Sequence, residues 1–480
     1  MATIKFGTDG WRARIAEDFT FANVAIAAQA VADYVTSTPS GGDSVRRLLV
    51  GYDRRFLSEE FARLAAEVFS GNGIAVDLLS IDTPTPLISF EVKRRSLDGG
   101  VVITASHNPR EFNGFKFKAP FGGSATPAIT AGIEKHLGSR KPATIAFEDA
   151  VKRGLTRIIE PPDDYATEVR RLVDMHELRR ARGLVIVDSM HGTGGRWTQR
   201  LLGHVDAPPG LQVITIRGDR DPLFGGVAPE PMPQNLRPLS DAIRERGAIL
   251  GLATDGDADR VGAMDEHGEY VNTHQILAIL LLHLARRKNQ KGAVVRTFSQ
   301  SVIVRRIAEQ LGFQLFETPI GFKHVADIMI DEKSNFLIGG EESGGIGVRG
   351  HIPERDGILN SLLLLEAVIA SGKRPSELVR DIWREFGEFH FERRDLKVPL
   401  ERGKRLVTEL AAETPDRFAG HRVDHVSTLD GTKLHFEDES WILFRQSGTE
   451  PVLRVYCEAT SERKMKSLID EGERLARAGS

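Results

Sequence analysis

Ser106 lies in Thr104-Ala105-Ser106-His107-Asn108-Pro109, directly after an apolar run. A serine in that place is a nucleophile or a turn cap. No Gly-x-Ser-x-Gly elbow surrounds it, which argues against an ordinary serine hydrolase. Further along stands Asp255-Gly256-Asp257-Ala258-Asp259-Arg260. Three carboxylates at alternate positions turn their oxygens toward one centre when the chain curls, and a bound cation offsets their charge. Oxygen ligands alone select Mg²⁺, Ca²⁺ or Mn²⁺ over zinc. An EF-hand would need glycine at the sixth loop position, where Arg260 stands, although Glu266 fits the twelfth. The stretch after the loop, Val261 to Met264, reads as a strand and not a helix. A solvated acidic turn remains the plain alternative.

Two further stretches follow. In Gly339-Gly340-Glu341-Glu342-Ser343-Gly344-Gly345, the Glu341 carboxylate and Ser343 hydroxyl suit the reading of neighbouring sugar hydroxyls, or the stretch is an exposed turn. In Arg445-Gln446-Ser447-Gly448-Thr449-Glu450-Pro451, a guanidinium, two hydroxyls and glycine-enabled N–H groups are the donors that hold a phosphate dianion. A hairpin turn with an incidental arginine is the alternative. Asn113-Gly114-Phe115-Lys116 predicts a turn with an ammonium near the Ser106 loop. Lys116 is then a general acid or base, a phosphate anchor, or merely solvated. His191-Gly192-Thr193-Gly194-Gly195 matches no nucleotide-binding spacing and reads as a strand-to-helix turn. A nucleophile, a hard-metal site, a polyol reader and a phosphate cradle together imply phosphoryl transfer to or from a sugar phosphate.

The elements that must position these loops alternate. Strands at Leu48–Val50, Ala75–Leu79 and Val101–Thr104, with a helix at Ser58–Phe69, lead to the Ser106 loop. Strands at Leu184–Val187, Val213–Ile216 and Ile249–Ala253, with a helix at Leu239–Arg246, lead to the acidic loop. Helices at Gln275–Ala285 and Val302–Leu311, with strands at Val294–Arg296, Phe313–Phe316 and Phe336–Ile338, lead to the Glu341 loop. Each unit thus sets a polar loop at the carboxyl end of a late strand, where open α/β sheets bind ligands. Trp441–Phe444 and Val452–Tyr456 flank the Arg445 loop as a hairpin. The predicted fold class is three similar α/β domains with mixed sheets plus a C-terminal α+β domain around a cleft. Breaks near Glu160-Pro161-Pro162, Asp265 to Glu269 and Gly387 to Arg394 divide the chain into 1–158, 159–266, 267–386 and 387–480.

Composition excludes several classes. The chain has 480 residues, 41% of them hydrophobic, and a net charge of −3. The 64 Lys and Arg are scattered, so no basic field calls for nucleic acid or an anionic membrane. One cysteine, Cys457, excludes an internal disulfide and fits a reducing compartment. Met1 to Arg14 lacks the apolar core of a signal peptide. Ile276 to Leu282 is far shorter than the ~20 apolar residues of a membrane helix and reads as a buried helix. A cytoplasmic protein is expected.

With these loops go Phe6-Gly7-Thr8-Asp9-Gly10-Trp11-Arg12, Thr83-Pro84-Thr85-Pro86, Thr318-Pro319-Ile320-Gly321-Phe322-Lys323 and Pro353-Glu354-Arg355-Asp356-Gly357. Along nearly its whole length the chain resembles the α-D-phosphohexomutases, most of all a bacterial phosphoglucomutase. The resemblance implies four domains around a cleft, the fourth mobile. It implies a phosphorylated Ser106 that binds one Mg²⁺ with Asp255, Asp257 and Asp259. It implies hexose phosphates as the partners and glucose 1,6-bisphosphate as intermediate and activator. Arg12, His107, Lys116 and Arg260 would surround the transferring group. Gly321, Lys323, Glu341, Ser343 and Arg355 would hold the sugar phosphate, and Arg445, Ser447, Gly448 and Thr449 the distal phosphate. Many bacterial phosphomannomutases and phosphoglucosamine mutases carry histidine where this chain has Gly345, and phosphoglucosamine mutases tend to carry glutamine at Glu342. Both departures favour glucose over mannose or glucosamine. A monomer is expected, with a dimer left open.

Overall fold

The computed structural model describes residues 4–7, 9–38, 45–203, 210–447 and 451–478. Its first three sheets share one plan. In the first, the strand Arg47–Tyr52 lies between the parallel strands Ala75–Leu79 and Gly99–Ile103. In the second, Gly183–Asp188 lies between Leu211–Ile216 and Leu250–Thr254. In the third, Ala293–Thr297 lies between Leu315–Thr318 and Phe336–Gly340. Each time the last of these strands runs into the polar loop, and the chain returns antiparallel as Phe112–Lys118, Val261–Met264 or Ile346–Val348. The repeat expected from element order is therefore a repeat of strand pairing, and these three sheets are mixed.

The C-terminal sheet is antiparallel throughout, in the order His390–Lys397, Val452–Ala459, Trp441–Gln446, Thr432–Phe436, His421–Ser427 and Arg417–Phe418. The helices Leu400–Ala412 and Glu462–Arg477 pack on it. The Arg445 loop closes a hairpin, with Gln446 opposite Leu453.

The apolar stretch before Leu282 is the buried helix Thr273–Leu282. Asn272 starts it with a capping box. The Asn272 side chain accepts from the Gln275 N–H, and the Gln275 side chain accepts from the Asn272 N–H, both at 2.9 Å. The helix Gly357–Ser371 is likewise buried nearly all round. Asp356 caps it through Leu359 N–H at 2.9 Å. One apolar core runs from Leu87 of the first unit through the second and third to Trp441 and Tyr456 of the fourth, while the rest of the first unit keeps cores of its own. Among the described residues, no helix is long and apolar enough to cross a membrane.

One expectation needs correction. Asn113-Gly114 is not a turn: it lies inside the strand Phe112–Lys118, which pairs on both sides. Gly114 is there for close packing, because a Cβ would stand 2.4 Å from Thr104 O. The break expected near Asp265 to Glu269 falls in the turn of a hairpin. Met264 pairs with Tyr270, so the second sheet continues to Val271.

Candidate active site

The Ser106 loop begins where the strand Gly99–Ile103 ends. Ser106 is 1% exposed and has a left-handed backbone, φ 52°. Its N–H donates to Thr104 Oγ1 at 2.9 Å, and its Oγ donates to Asp255 Oδ2 at 2.7 Å. The serine hydroxyl thus faces the acidic loop of the neighbouring unit. His107 Nδ1 lies 3.4 Å from the same oxygen. Burial, helped by Arg260 and Arg12, pushes the His107 imidazole well below its usual pKa, so it is neutral.

The acidic loop curls as its spacing demands. Asp255, Asp257 and Asp259 are all buried, and each offers one oxygen within 4.8 Å of the others. Asp255 Oδ1 accepts the N–H groups of Asp259 and Arg260, at 3.0 and 3.1 Å. Asp257 Oδ1 and Asp259 Oδ1 are buried with no hydrogen-bond partner. Two orphaned carboxylate oxygens in an all-oxygen set fit a hard divalent cation. Burial pushes the Asp255 carboxyl well above the usual carboxylate range, and Asp259 and Asp257 add to the push.

A metal is not the only positive charge available to this loop. Lys116 is fully buried, with its Nζ 2.8 Å from Asp257, 2.8 Å from Asp9 and 3.4 Å from Asp259. Thr85 Oγ1 also donates to Asp257 Oδ2 at 2.6 Å. Burial works against the ammonium, but Asp257, Asp9 and Asp259 outweigh it and raise its pKa. Of the roles open to Lys116, those of a cation and proton donor fit this setting, and it is not solvated. Arg355 ties three units together, with Nη2 at 2.6 Å from Asp9 and 2.8 Å from Asp259, and Nη1 at 3.6 Å from Glu341. Arg260 lies 3.8 Å from Asp259 and 3.5 Å from Glu230. Arg12 Nη1 donates to Asn108 Oδ1 at 2.8 Å. Around Ser106 the structure therefore brings together Arg12, His107, Lys116, Arg260 and the three aspartates.

Glu341 is 6% exposed, and burial raises its carboxyl to about 7 against the opposing pull of Arg355. Ser343 Oγ is buried without a partner, a hydroxyl free for a ligand. Glu342 points elsewhere, accepting from Ser299 Oγ at 2.5 Å. Gly321, φ 133°, opens the helix Phe322–Ile330, and the Phe322 ring lies 5.6 Å from the Arg355 guanidinium. Lys323 is half-buried on the first turn of that helix.

Arg445 and Ser447, expected to hold a phosphate, come from the C-terminal sheet and its hairpin. Arg445 Nε donates to Asp430 Oδ2 at 3.0 Å, and the same oxygen accepts Ile320 N–H at 2.9 Å. Asp430 thus fastens the cradle arginine to the Gly321 turn. Ser447 N–H donates to Val452 O at 2.9 Å across the hairpin. Gly448 and Thr449 lie outside the described residues. Arg393 and Arg454 of this sheet act on His107 electrostatically, so the fourth unit faces the Ser106 loop.

Sequence reasoning missed Asp9, Thr85 and Asp430, although the first two stand in stretches singled out above. None carries a local signal, because each is defined by a partner far along the chain. The Gly192 turn is structural, as read: Thr193 N–H donates to Gly256 O at 3.0 Å beneath the acidic loop.

Comparisons with known proteins agree with this geometry. Family models for phosphoglucomutase/phosphomannomutase alpha/beta/alpha domains I, II and III match residues 3–143, 163–268 and 272–386. The model for the C-terminal domain matches 396–474. A phosphoglucomutase/phosphomannomutase of Thermococcus kodakarensis is 31% identical, over 89% of each chain. A probable phosphoglucosamine mutase of Methanothermobacter thermautotrophicus is also 31% identical, over 96% of this chain and 95% of that one. The crystal structure of a putative phosphomannomutase from Thermus thermophilus superposes with a TM-score of 0.86. It has 35% identity and covers 99% of this chain and 100% of that one.

Proposed function

The chain belongs to the phosphoglucomutase/phosphomannomutase family of intramolecular phosphotransferases. From that premise we propose that it interconverts hexose 1-phosphate and hexose 6-phosphate, with α-D-glucose as the sugar, through a phosphorylated Ser106 and a hexose 1,6-bisphosphate. The observation that carries this reading is the Ser106 hydroxyl, 2.7 Å from Asp255 in a cluster of buried carboxylates and cations.

Phosphoryl transfer needs in-line placement and charge neutralisation more than covalent chemistry by the protein. Asp255, Asp257 and Asp259 would hold Mg²⁺, which supplies Lewis-acid charge to the phosphoryl oxygens when bound. Arg12 and Arg260 add fixed positive charge around Ser106, and the Lys116 ammonium donates a proton or a hydrogen bond there. Glu341 and Ser343 read the ring hydroxyls. Lys323, Gly321 and Arg355 line the sugar side. Arg445, Ser447, Gly448 and Thr449 grip the phosphate that is not reacting. Because chemistry occurs at one serine, the bisphosphate must turn within the cleft, and one cradle must serve both orientations.

Glu342 and Gly345 support glucose. Gly345 leaves no room for a larger residue, since a Cβ there would stand 2.3 Å from Arg355 Cδ. A histidine at that point of the sugar loop would displace the arginine.

Ser106→Ala should lose at least ~10³-fold in rate, as expected for loss of a covalent nucleophile. Intact-mass analysis should find one phosphate on the wild-type protein and none on the variant. Rates with glucose, mannose and glucosamine 1-phosphates should rank glucose first. A phosphate mapped to another residue would sink the serine assignment. A faster mannose or glucosamine substrate would overturn the sugar, and net release of inorganic phosphate would point to a phosphatase.

A further inference from the structure

We propose that Arg55 sets the main-chain shape of the Ser106 loop, and so decides whether the phosphoryl group on Ser106 passes to a sugar or to water. The proposal rests on the phosphoserine reading above and concerns a residue no part of that reading uses.

Arg55 is 0% exposed. A guanidinium has five N–H donors, and here every one is taken. Nη2 donates to Ser106 O and Asn108 O, both at 2.6 Å. Nη1 donates to Pro109 O at 2.8 Å and Phe112 O at 3.0 Å. Nε donates to Asp53 Oδ2 at 3.1 Å. Four carbonyls of one loop thus converge on one planar cation. A loop with four carbonyls held on one cation cannot relax into another turn while that cation stays.

The cation itself is immobilised. Asp53 holds it from its own strand end. The same carboxylate accepts Arg55 N–H at 2.9 Å and Ser58 Oγ at 2.7 Å. Thr104 accepts the Ser106 N–H at 2.9 Å. Phe224 of the second unit covers the guanidinium face, with its ring centroid 4.9 Å from Cζ. Phe224 is fully buried in a turn that Asp221 fixes by accepting the N–H groups of Leu223 and Gly225, each at 2.9 Å. The acidic loop also presses on this assembly. A Cβ on Gly256 would stand 2.4 Å from Ser106 O, the carbonyl that Arg55 holds.

All five Arg55 donors are spent on Asp53 and the loop carbonyls, and none on Asp255, Asp257 or Asp259, so its role is positioning and not catalytic. It fixes the left-handed backbone of Ser106, and hence the direction of Oγ relative to the carboxylates and the arriving sugar. Misplacing a reacting atom by about 1 Å can cost 10²-fold in rate. Water is small and has no orientation to match, so its attack depends far less on that direction. When water attacks, the bond between phosphorus and Ser106 Oγ breaks. The water oxygen stays on phosphorus as inorganic phosphate, and a water proton returns to the serine oxygen.

The test uses the full-length enzyme with Mg²⁺ and glucose 1-phosphate. It measures mutase turnover, inorganic phosphate release, thermal stability and the mass of the protein. Arg55→Lys keeps the charge but cannot reach four carbonyls and a carboxylate. It should lower kcat on the order of 10²-fold with KM within about threefold, and raise phosphate released per turnover at least about tenfold. Val31→Ala, a core truncation elsewhere in the same unit, should lower stability and leave that partition unchanged. Should Arg55→Lys fail to fold, Phe224→Leu keeps all five hydrogen bonds and removes only the ring. It should raise the partition about two- to fivefold, since cation–π contacts are individually weaker. A wild-type protein without phosphate on Ser106 overturns both readings. A phosphorylated wild type with an unchanged partition in the Arg55 and Phe224 variants overturns this one alone, as does an equal rise in Val31→Ala.

Discussion

Lys116 and Lys433 are both buried, at 0% and 2% exposure, yet their surroundings drive them in opposite directions. Lys116 sits among Asp257, Asp9 and Asp259, and its pKa rises despite burial. Lys433 sits between the third and fourth units. Its Nζ donates to Phe298 O at 2.8 Å and lies 3.9 Å from the centre of the Trp441 ring. Burial, with Arg296 nearby, lowers it to about 7 against the weaker pull of Glu317 and Glu458. Burial alone therefore does not set the charge of a lysine. Opposite charge in contact does, and a carbonyl with the rings of Phe298 and Trp441 does not replace it. The surroundings of Ser106 are held by paired charge, and the C-terminal unit packs in part on a lysine whose carboxylates stand at a distance.

The largest effect should come from breaking the first arrangement. Lys116→Met leaves Asp9 and Asp257 buried with less positive charge around them. Removing one partner of a buried pair costs about 3–5 kcal/mol, and unfolding in chelator should show a loss of that order. Activity should fall at least ~10²-fold, the scale of one lost acid or anchor. Mg²⁺ should restore more stability to the variant than to the wild type, because the ion takes over compensation that Lys116 now gives. Equal gains in both proteins would mean that Lys116 does not share the aspartates with a metal.

The two lysines also mark what is readable in the chain. The three aspartates are legible because their geometry is local: alternate residues of one curled loop. The repeated units are legible because strand and helix patterns are local too. In the sequence Lys116 follows a turn signal, since Asn113-Gly114 is a strong one. The pairing of Phe112–Lys118 with both Trp11–Arg14 and Gly99–Ile103 overrides it. Gly345 looks like a turn glycine, whereas its need is steric and set by Arg355. Asp9, Arg55 and Asp430 act through partners far along the chain, and nothing in their own neighbourhoods announces that.

A smaller effect should expose Lys433 through pH. Its folded pKa, about 7, lies below the ordinary value of 10.5. Between those values the unfolded chain binds a proton that the folded protein lacks, so stability rises with pH across that window. Below about 7 both states carry the proton and the slope vanishes. The slope can approach ~1.4 kcal/mol per pH unit. Lys433→Met removes it, so the stability difference between wild type and variant should move in favour of wild type above pH 7. Lys116 contributes no such slope near neutrality, because both its values lie far above. A difference that stays flat from about pH 6 to 9 would place a counter-ion at Lys433 in solution.

The smallest effect concerns Glu458, whose carboxylate reaches from the fourth unit to the third. Oε2 accepts Val302 N–H at 2.9 Å and Trp441 Nε1–H at 3.0 Å. Val302 begins the helix Val302–Leu311, so a negative charge stands at that helix's N-terminus. Glu458→Gln keeps an acceptor oxygen and loses the charge. The cost should be about 1 kcal/mol, the usual scale of a carboxylate at a helix start, and calorimetry of the variant should show it as a modest fall in Tm. The substitution has a second reading through Lys433. Glu458 is one of two carboxylates that hold the Lys433 value up. Without it the lysine should lose its proton at lower pH, and the slope described above should begin below 7. That downward displacement separates a charge acting on Lys433 from a cap acting only on the helix. If stability falls but the onset of the slope stays put, Glu458 is a cap and nothing more, and the counter-charge of Lys433 must be sought at Glu317.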